Sequence, residues 1–473
     1  MGDFLDKDAL EQAKALETGD IGAEELMRMT LDRIAAVNGE VNAIVSMRDP
    51  DALIAEARAA DNAPRKGWMH GLPLAVKDLA DAEGLPTSRG SPIFEGEIAA
   101  KDEIMVARMR AAGALIIGKT NTPEFGLGSH TFNPVHGATH NPYDLGRSAG
   151  GSSGGAAAAL ACRMLPVADG SDMMGSLRNP GAWNNVYGFR PTWARVPSEP
   201  LGDNFLHQLA TLGPMGRSPR DVAALLDTQS GPDPRQPHGF EAAPTLPDMD
   251  KPISKGRIGW LADWGGAYPM EAGLMAVYEA AVAKLEDVGF TVERLDAPFE
   301  AGKIWDSWIT LRSWAVAGGS KVHYDDPETR AMLKPEAIWE IERGLGFSAM
   351  DVHAASVIRS DWFKRAAELF ETFDALLLPT TQVWPFPVDW RNPEEVAGVK
   401  MDTYHRWMEV VIPIGLLGLP CLNIPAGFGD NGLPAGLQLF GPRNSDGRLL
   451  RMGQAWHEAT DFVKRKPPVL QDT

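Results

Sequence analysis

Gly155-Ala156-Ala157-Ala158-Ala159-Leu160-Ala161, then Leu165-Pro166-Val167-Ala168, then Asp169-Gly170-Ser171-Asp172-Met173-Met174-Gly175-Ser176-Leu177-Arg178-Asn179-Pro180, is the stretch on which the fold turns. Its first part is a run of small residues that favours a helix. Its second is a short apolar strand. Its third is a turn too rich in Gly, Ser and Asp to continue as either. The same alternation extends in both directions. Upstream, residues 72–76 are an apolar strand, 101–112 a helix stopped by Gly113, and 114–117 a strand. Downstream, 218–228 is a helix with a Ser218-Pro219 start, and 258–261 and 375–378 are strands, each with a helix close by. The first 60 residues read as helices, with Leu26, Met29, Thr30, Ile34 and Val37 keeping roughly helical spacing. The expected fold class is α/β: a central mixed β-sheet covered on both faces by helices, in a single large domain over 1–473. Residues 1–62 are expected as an N-terminal helical segment. The Pro-, Asp- and Gly-rich 229–255 is expected as a surface excursion of the one core.

Composition narrows the partners. Of the 473 residues, 44% are hydrophobic and 23% charged, which excludes a mainly disordered chain. Lys and Arg number 45 against 63 Asp and Glu, leaving −18, so neither nucleic acid nor an anionic membrane surface is expected as a partner. Two cysteines, Cys162 and Cys421, give no disulfide framework and point to a reducing, cytoplasmic setting. The opening Met1-Gly2-Asp3-Phe4-Leu5-Asp6 lacks the basic start and apolar core of a signal peptide, and Asp6 breaks the myristoylation pattern. Residues 410–428 run 19 residues without a charge, about a bilayer's span. Pro413, Pro420 and Pro425 would break the helical hydrogen bonding that lipid demands, so a buried loop and strand is expected there. Eight of the 14 tryptophans fall within 301–407. Scattered core packing accounts for them, as does an aromatic wall for an apolar or aryl substrate; the segment is expected to line the acyl and leaving-group pocket.

Three motifs mislead. Gly113-Ala114-Leu115-Ile116-Ile117-Gly118-Lys119-Thr120 fits the phosphate-binding P-loop, yet its inner residues are themselves the strand and no helix follows. His136 and His140 stand four apart, but Gly137 and Pro142 argue against a helix, so no metal is expected. Gly150-Gly151-Ser152-Ser153-Gly154 satisfies the nucleophile-elbow pattern, but a polar loop precedes it where an elbow needs a strand.

Three elements remain that carry chemistry. The strand 72–76 runs into Lys77-Asp78. A lysine at the end of a buried strand either snorkels, pairs with Asp78, or is kept neutral and able to accept a proton. The run Arg147-Ser148-Ala149-Gly150-Gly151-Ser152-Ser153-Gly154-Gly155 lets backbone approach backbone or ligand closely. The turn after 165–168 carries Ser176, where backbone N–H groups around 173–176 can converge on an oxyanion.

In this order and spacing the pieces resemble the amidase signature family of serine hydrolases. The resemblance covers roughly 65–200 and 370–455. It rests on Gly71-Leu72-Pro73-Leu74-Ala75-Val76-Lys77-Asp78, on Ile117 to Phe125, on Thr139-His140-Asn141-Pro142, and on the Gly/Ser run. Gly175-Ser176-Leu177-Arg178-Asn179-Pro180, Gly418-Leu419-Pro420, Ile424-Pro425-Ala426-Gly427 and Gly432-Leu433-Pro434-Ala435-Gly436-Leu437-Gln438 complete it. The 24-residue step from Ser152 to Ser176 fits the family's spacing between its two catalytic serines. The resemblance implies Ser176 as nucleophile, Ser152 as bridging serine in a cis peptide, and Lys77 as base. A serine hydroxyl needs an adjacent acceptor, and lysine accepts once burial lowers its pKa. It further implies an oxyanion hole from the backbone N–H groups of Met173, Met174, Gly175 and Ser176. Ser153, Ser171, Asp172 and Arg178 take supporting roles, the last two as an internal charge pair. Met174 stands where the family usually has a glycine, so non-glycine backbone angles and an apolar side chain beside the reacting carbonyl are expected.

The Asp172-Met173-Met174-Gly175-Ser176 variant, with Trp183-Asn184-Asn185 after it, is similar to a subgroup of bacterial and metagenomic amidases that includes urethanases acting on carbamates of aromatic diamines. The expected activity is hydrolysis of a small-molecule amide or carbamate by a monomer or homodimer, with no cofactor. The alternative is an amidotransferase A-type subunit that works with partner chains on tRNA.

Overall fold

The computed structural model describes residues 4–253 and 256–470. Met1 to Asp3, at the start of the signal-peptide reading, and Ser254 and Lys255, the last two residues of the 229–255 excursion, lie outside the described residues. Two sheets organise the rest. The smaller contains β1 (Ile44–Val45), β2 (Pro73–Lys77) and β3 (Leu115–Thr120), with β3 between the other two and parallel to β2. The larger contains β4 (Val167–Asp172), β5 (Tyr187–Arg190), β6 (Thr211–Gly216), β7 (Arg257–Trp260), β8 (Thr291–Arg294), β9 (Ala375–Pro379), β10 (Cys421–Phe428) and β11 (Pro434–Phe440). Its order is β8-β7-β9-β11-β10-β5-β6-β4. The β8-β7-β9 end is parallel and the remainder antiparallel, so the sheet is mixed.

Alternation along β9 shows why both faces need cover. Leu377 faces a core cluster that includes Tyr278 and Leu285 of the Leu274–Val288 helix and Trp456 of the Asp446–Thr460 helix. Leu376 and Leu378 point the other way, into a cluster with Trp308 of the Ala301–Asp325 helix and Trp362 of the Ala349–Phe370 helix. That second cluster takes up most tryptophans of the 301–407 segment. The rings of Trp183 and Trp407 stack at 5.7 Å, and Trp264 meets Trp362 edge-on at 5.5 Å. Each such side chain removes on the order of 150–250 Å² from water, roughly 4–6 kcal/mol gross at ~25 cal/mol/Å².

Two expectations change. The strand placed at 165–168 runs over Val167–Asp172, through Asp169, Gly170, Ser171 and Asp172. Its polar end is held as an edge strand by antiparallel pairing with β6, a partner far along the chain. The uncharged 410–428 stretch divides into the short helix Ile412–Gly415 and strand β10, both buried. Among the described residues no helix is long and apolar enough to cross a membrane.

Candidate active site

The site lies where the two sheets meet. Lys77 ends β2, and its backbone N–H donates to Asp169 Oδ1 of β4 at 3.2 Å. The Gly154–Ala161 helix starts beside them and is buried along its whole length. Gly155 makes that possible: a Cβ there would stand 2.3 Å from Asn121 N and 2.5 Å from Ala43 O. The loop before this helix is held by two hydroxyls. Ser129 Oγ donates to Gly151 O at 2.6 Å and Thr131 Oγ1 to Gly150 O at 2.7 Å. The Gly151–Ser152 peptide is cis.

Lys77 Nζ donates to Ser152 Oγ at 2.8 Å, Ser153 Oγ at 2.9 Å and Ser171 Oγ at 3.1 Å. Among the described residues three hydroxyls and no carboxylate hydrogen-bond its amine. Burial therefore dominates and pulls its pKa down to about 7, against the weaker pull of Asp169 and Asp172. Burial likewise lifts Asp169 to about 6. The pairing of Lys77 with Asp78 does not occur. Asp78 accepts from Ser88 Oγ at 2.5 Å and lies 3.9 Å from Lys119.

Asp172 organises the turn that presents Ser176. Its carboxylate is gripped by Arg178, Nε at 3.0 Å and Nη2 at 2.9 Å, and by Arg190 Nη1 at 3.2 Å, all fully buried. Burial opposes its charge, but the two guanidinium groups outweigh it and hold the carboxyl well below the usual range. Asp172 also accepts from Gly175 N–H at 2.9 Å and Leu177 N–H at 3.2 Å. This corrects one expected role: the Gly175 amide is committed to a carboxylate and does not point at an oxyanion. The amides of Met173, Met174 and Ser176 have no such partner among the described residues. The positive φ of the turn, +80°, falls on Gly175, while Met174 is not among the positive-φ residues. The departure from glycine at 174 is thus accommodated by the backbone.

Ser176 and Ser152 line one cavity of about 410 Å³ together with Ser171, Met173 and Met174. Among the described residues no hydrogen bond joins the Ser176 and Ser152 hydroxyls. Leu79, Phe125, Leu127 and Val316 add apolar wall, and Arg89, Glu103, Arg312 and His323 add polar groups. The 301–407 segment contributes through one face of the Ala301–Asp325 helix, and no tryptophan belongs to the lining. The aromatic wall of tryptophans is therefore not built. Trp305, Trp308, Trp362 and Trp407 are instead buried in the core cluster, while Trp390 is exposed.

The misleading motifs have ordinary explanations. Lys119 is buried, donating to Ala80 O and to Thr87 Oγ1, so it offers nothing to a phosphate. His136 Nε2 meets Ser88 Oγ at 3.2 Å, whereas His140 Nδ1 meets Leu145 O at 2.6 Å. Arg312, Ser129 and Thr131 escaped the sequence reading. No local pattern marks them, because each acts on segments distant in the chain.

This fold and site define an amidase signature enzyme acting on C–N bonds of amides. The chain belongs to that family: the Amidase family model matches residues 25–450. The acylamidase of Rhodococcus erythropolis is 32% identical over 470 residues, covering 97% of this chain and 96% of that protein. The A-type subunit of glutamyl-tRNA(Gln) amidotransferase from Acidothermus cellulolyticus is 33% identical over 497 residues, covering 97% and 95%. The crystal structure of a bacterial aryl acylamidase of the amidase signature family superposes with a TM-score of 0.91 at 26% identity, over 98% of each chain.

Proposed function

We propose that the protein hydrolyses small aryl or apolar amides and carbamates through a serine acyl- or carbamoyl-enzyme. Ser176 is the nucleophile, Ser152 the proton relay and Lys77 the base. Ser153 and Ser171 hold the Lys77 amine, while Asp172 and Arg178 hold the turn. The observation that carries this reading is the 2.8 Å hydrogen bond from Lys77 Nζ to Ser152 Oγ in a buried pocket.

Ser176 Oγ attacks the carbonyl carbon, and its proton passes to Ser152 as Ser152 passes its own to neutral Lys77. The Ser176–Ser152 link closes as substrate binds, in keeping with catalytic hydrogen bonds that tighten only in the complex. Charge collecting on the carbonyl oxygen is met by the N–H groups of Met173, Met174 and Ser176. With an amide, collapse breaks the C–N bond and the proton returns through Ser152 to the leaving amine. With a carbamate, the carbamoyl-enzyme forms when collapse breaks the C–O bond, the proton returning to the leaving alcohol oxygen. Water, deprotonated by the same relay, attacks the acyl carbon and frees Ser176. From a carbamate the products are amine, alcohol and carbon dioxide.

The apolar lining from Leu79, Phe125, Leu127 and Val316 favours an aryl or alkyl substrate. Similarity to an acylamidase and an aryl acylamidase supports the same class. The second reading, a component of an amidotransferase complex, has its support in the similarity to a chain of the glutamyl-tRNA(Gln) amidotransferase. The net charge of −18 weighs against work on tRNA.

The test is to incubate the chain alone with an anilide, an aryl carbamate and glutamine. Release of the aryl amine from the first two supports the proposal. Ammonia from glutamine with no aryl amine favours the second reading and sinks the first.

A further inference from the structure

We infer that Arg312 recognises a hydrogen-bond acceptor on the substrate away from the scissile carbonyl, making the site selective for neutral amides and carbamates that carry a second carbonyl oxygen. The inference rests on the hydrolysis proposed at Ser176 and names its substrate class more closely.

Arg312 sits on the Ala301–Asp325 helix, is 3% exposed, and lines the same cavity as Ser176. A guanidinium carries five N–H donors. Nε donates to Glu340 Oε1 at 2.6 Å and Nη2 to Tyr404 Oη at 2.9 Å. Nη1, however, meets only the thioether of Met173, at 3.4 Å. Sulfur of this kind is a weak acceptor. Nη1 therefore lies against a residue of the cavity wall, three positions before the nucleophile, with its donor capacity poorly used among the described residues. Buried donors of a cation are costly to leave unmatched, and a substrate oxygen would match them.

The surrounding charges decide what kind of oxygen. Glu340 is fully buried and also accepts from Ser313 Oγ at 2.6 Å and Tyr404 Oη at 2.8 Å. Burial is the largest influence and opposes its charge, but Arg312, His405 and the Ser313 hydrogen bond together outweigh it and keep the carboxyl below its usual range. The Arg312 charge is thus already balanced, so a neutral acceptor suits it and a second carboxylate is not required. An apolar group in the same place would shield Nη1 from water and offer it nothing, which is how a polar subsite rejects a hydrocarbon isostere.

The experiment uses two isosteric pairs. One places the ketone on the leaving group (4-acetylacetanilide against 4-isopropylacetanilide). The other places it on the acyl group (N-phenyl-4-oxopentanamide against N-phenyl-4-methylpentanamide). Each is measured as kcat/KM in the wild type and Arg312→Lys, and as binding in Ser176→Ala with and without Arg312→Lys. Dividing the wild-type preference by the variant's cancels the intrinsic reactivity of the substrates. The expected result is a preference of about tenfold or more for the ketone in at least one pair, reduced to within about twofold by Arg312→Lys. No preference, a preference that survives the substitution, or a parallel loss on both members of each pair overturns the inference. Should Arg312→Lys unfold, Arg312→Gln/Glu340→Gln removes both charges together and is read the same way. If the wild type hydrolyses none of the four compounds, and no aryl carbamate either, the proposed hydrolysis fails. The binding preference in Ser176→Ala then still decides the role of Arg312.

Discussion

Lys77 is the residue whose chemistry depends most on its surroundings. With three hydroxyls around its amine and burial as the dominant influence, its pKa falls to about 7. A base works in its unprotonated form, so kcat/KM should fall about tenfold per pH unit below that value and level off above it. A pH–rate profile flat between 5 and 8 would remove Lys77 from the role. Ser176→Ala should abolish turnover while leaving the circular dichroism spectrum unchanged. Lys77→Ala should lose most activity and Ser152→Ala less; steady-state kinetics on an anilide rank the three. At this scale much was legible in the sequence, because Lys77, Ser152 and Ser176 lie in ordered motifs with defined spacing. Arg312 was not, since its partners Glu340 and Tyr404 lie 28 and 92 residues away and only helix packing brings them together. The Gly175 amide differs from expectation because its acceptor is a side chain three residues back, which a list of available N–H groups does not reveal.

Among the elements, β4 and the helix beside it set the positions of the serines. Asp172 closes β4 and carries the charge that Arg178 and Arg190 share. Asp172→Asn leaves both guanidinium groups buried without a counter-charge and should cost about 3–5 kcal/mol in urea unfolding. A loss within about 1 kcal/mol would show that the turn does not depend on that carboxylate. The Gly154–Ala161 helix approaches neighbouring backbone closely enough that Gly155→Ala should destabilise by about 3 kcal/mol, read from the same unfolding curves. Here the sequence told less. Strand propensity stops at Ala168, because Asp, Gly and Ser are poor strand formers, and only pairing with β6 carries the strand on to Asp172. Gly170 belongs to the same lesson: a Cβ there would stand 2.7 Å from Ser153 Oγ, a contact no local pattern announces.

The whole molecule joins a small sheet bearing Lys77 to the edge of a large one bearing Asp169, Ser171 and Asp172. The α/β class and the mixed sheet followed from the alternation of helix and strand signals. The fate of the tryptophans did not. Trp305 and Trp308 enter the core because the helix that carries them turns one face to the core cluster and another to the cavity, and Trp362 and Trp407 join that cluster from other segments. In the proposed reaction the chain acts by itself and Ser176 Oγ is the atom that becomes acylated. Acid quenching of the protein during turnover of an aryl anilide or aryl carbamate, followed by peptide mass mapping, tests it most directly. The acyl or carbamoyl mass is expected on Ser176, lost again as the amine-releasing reaction runs to completion. Aryl amine released while the label maps to another residue, or no release at all from the chain alone, would contradict it.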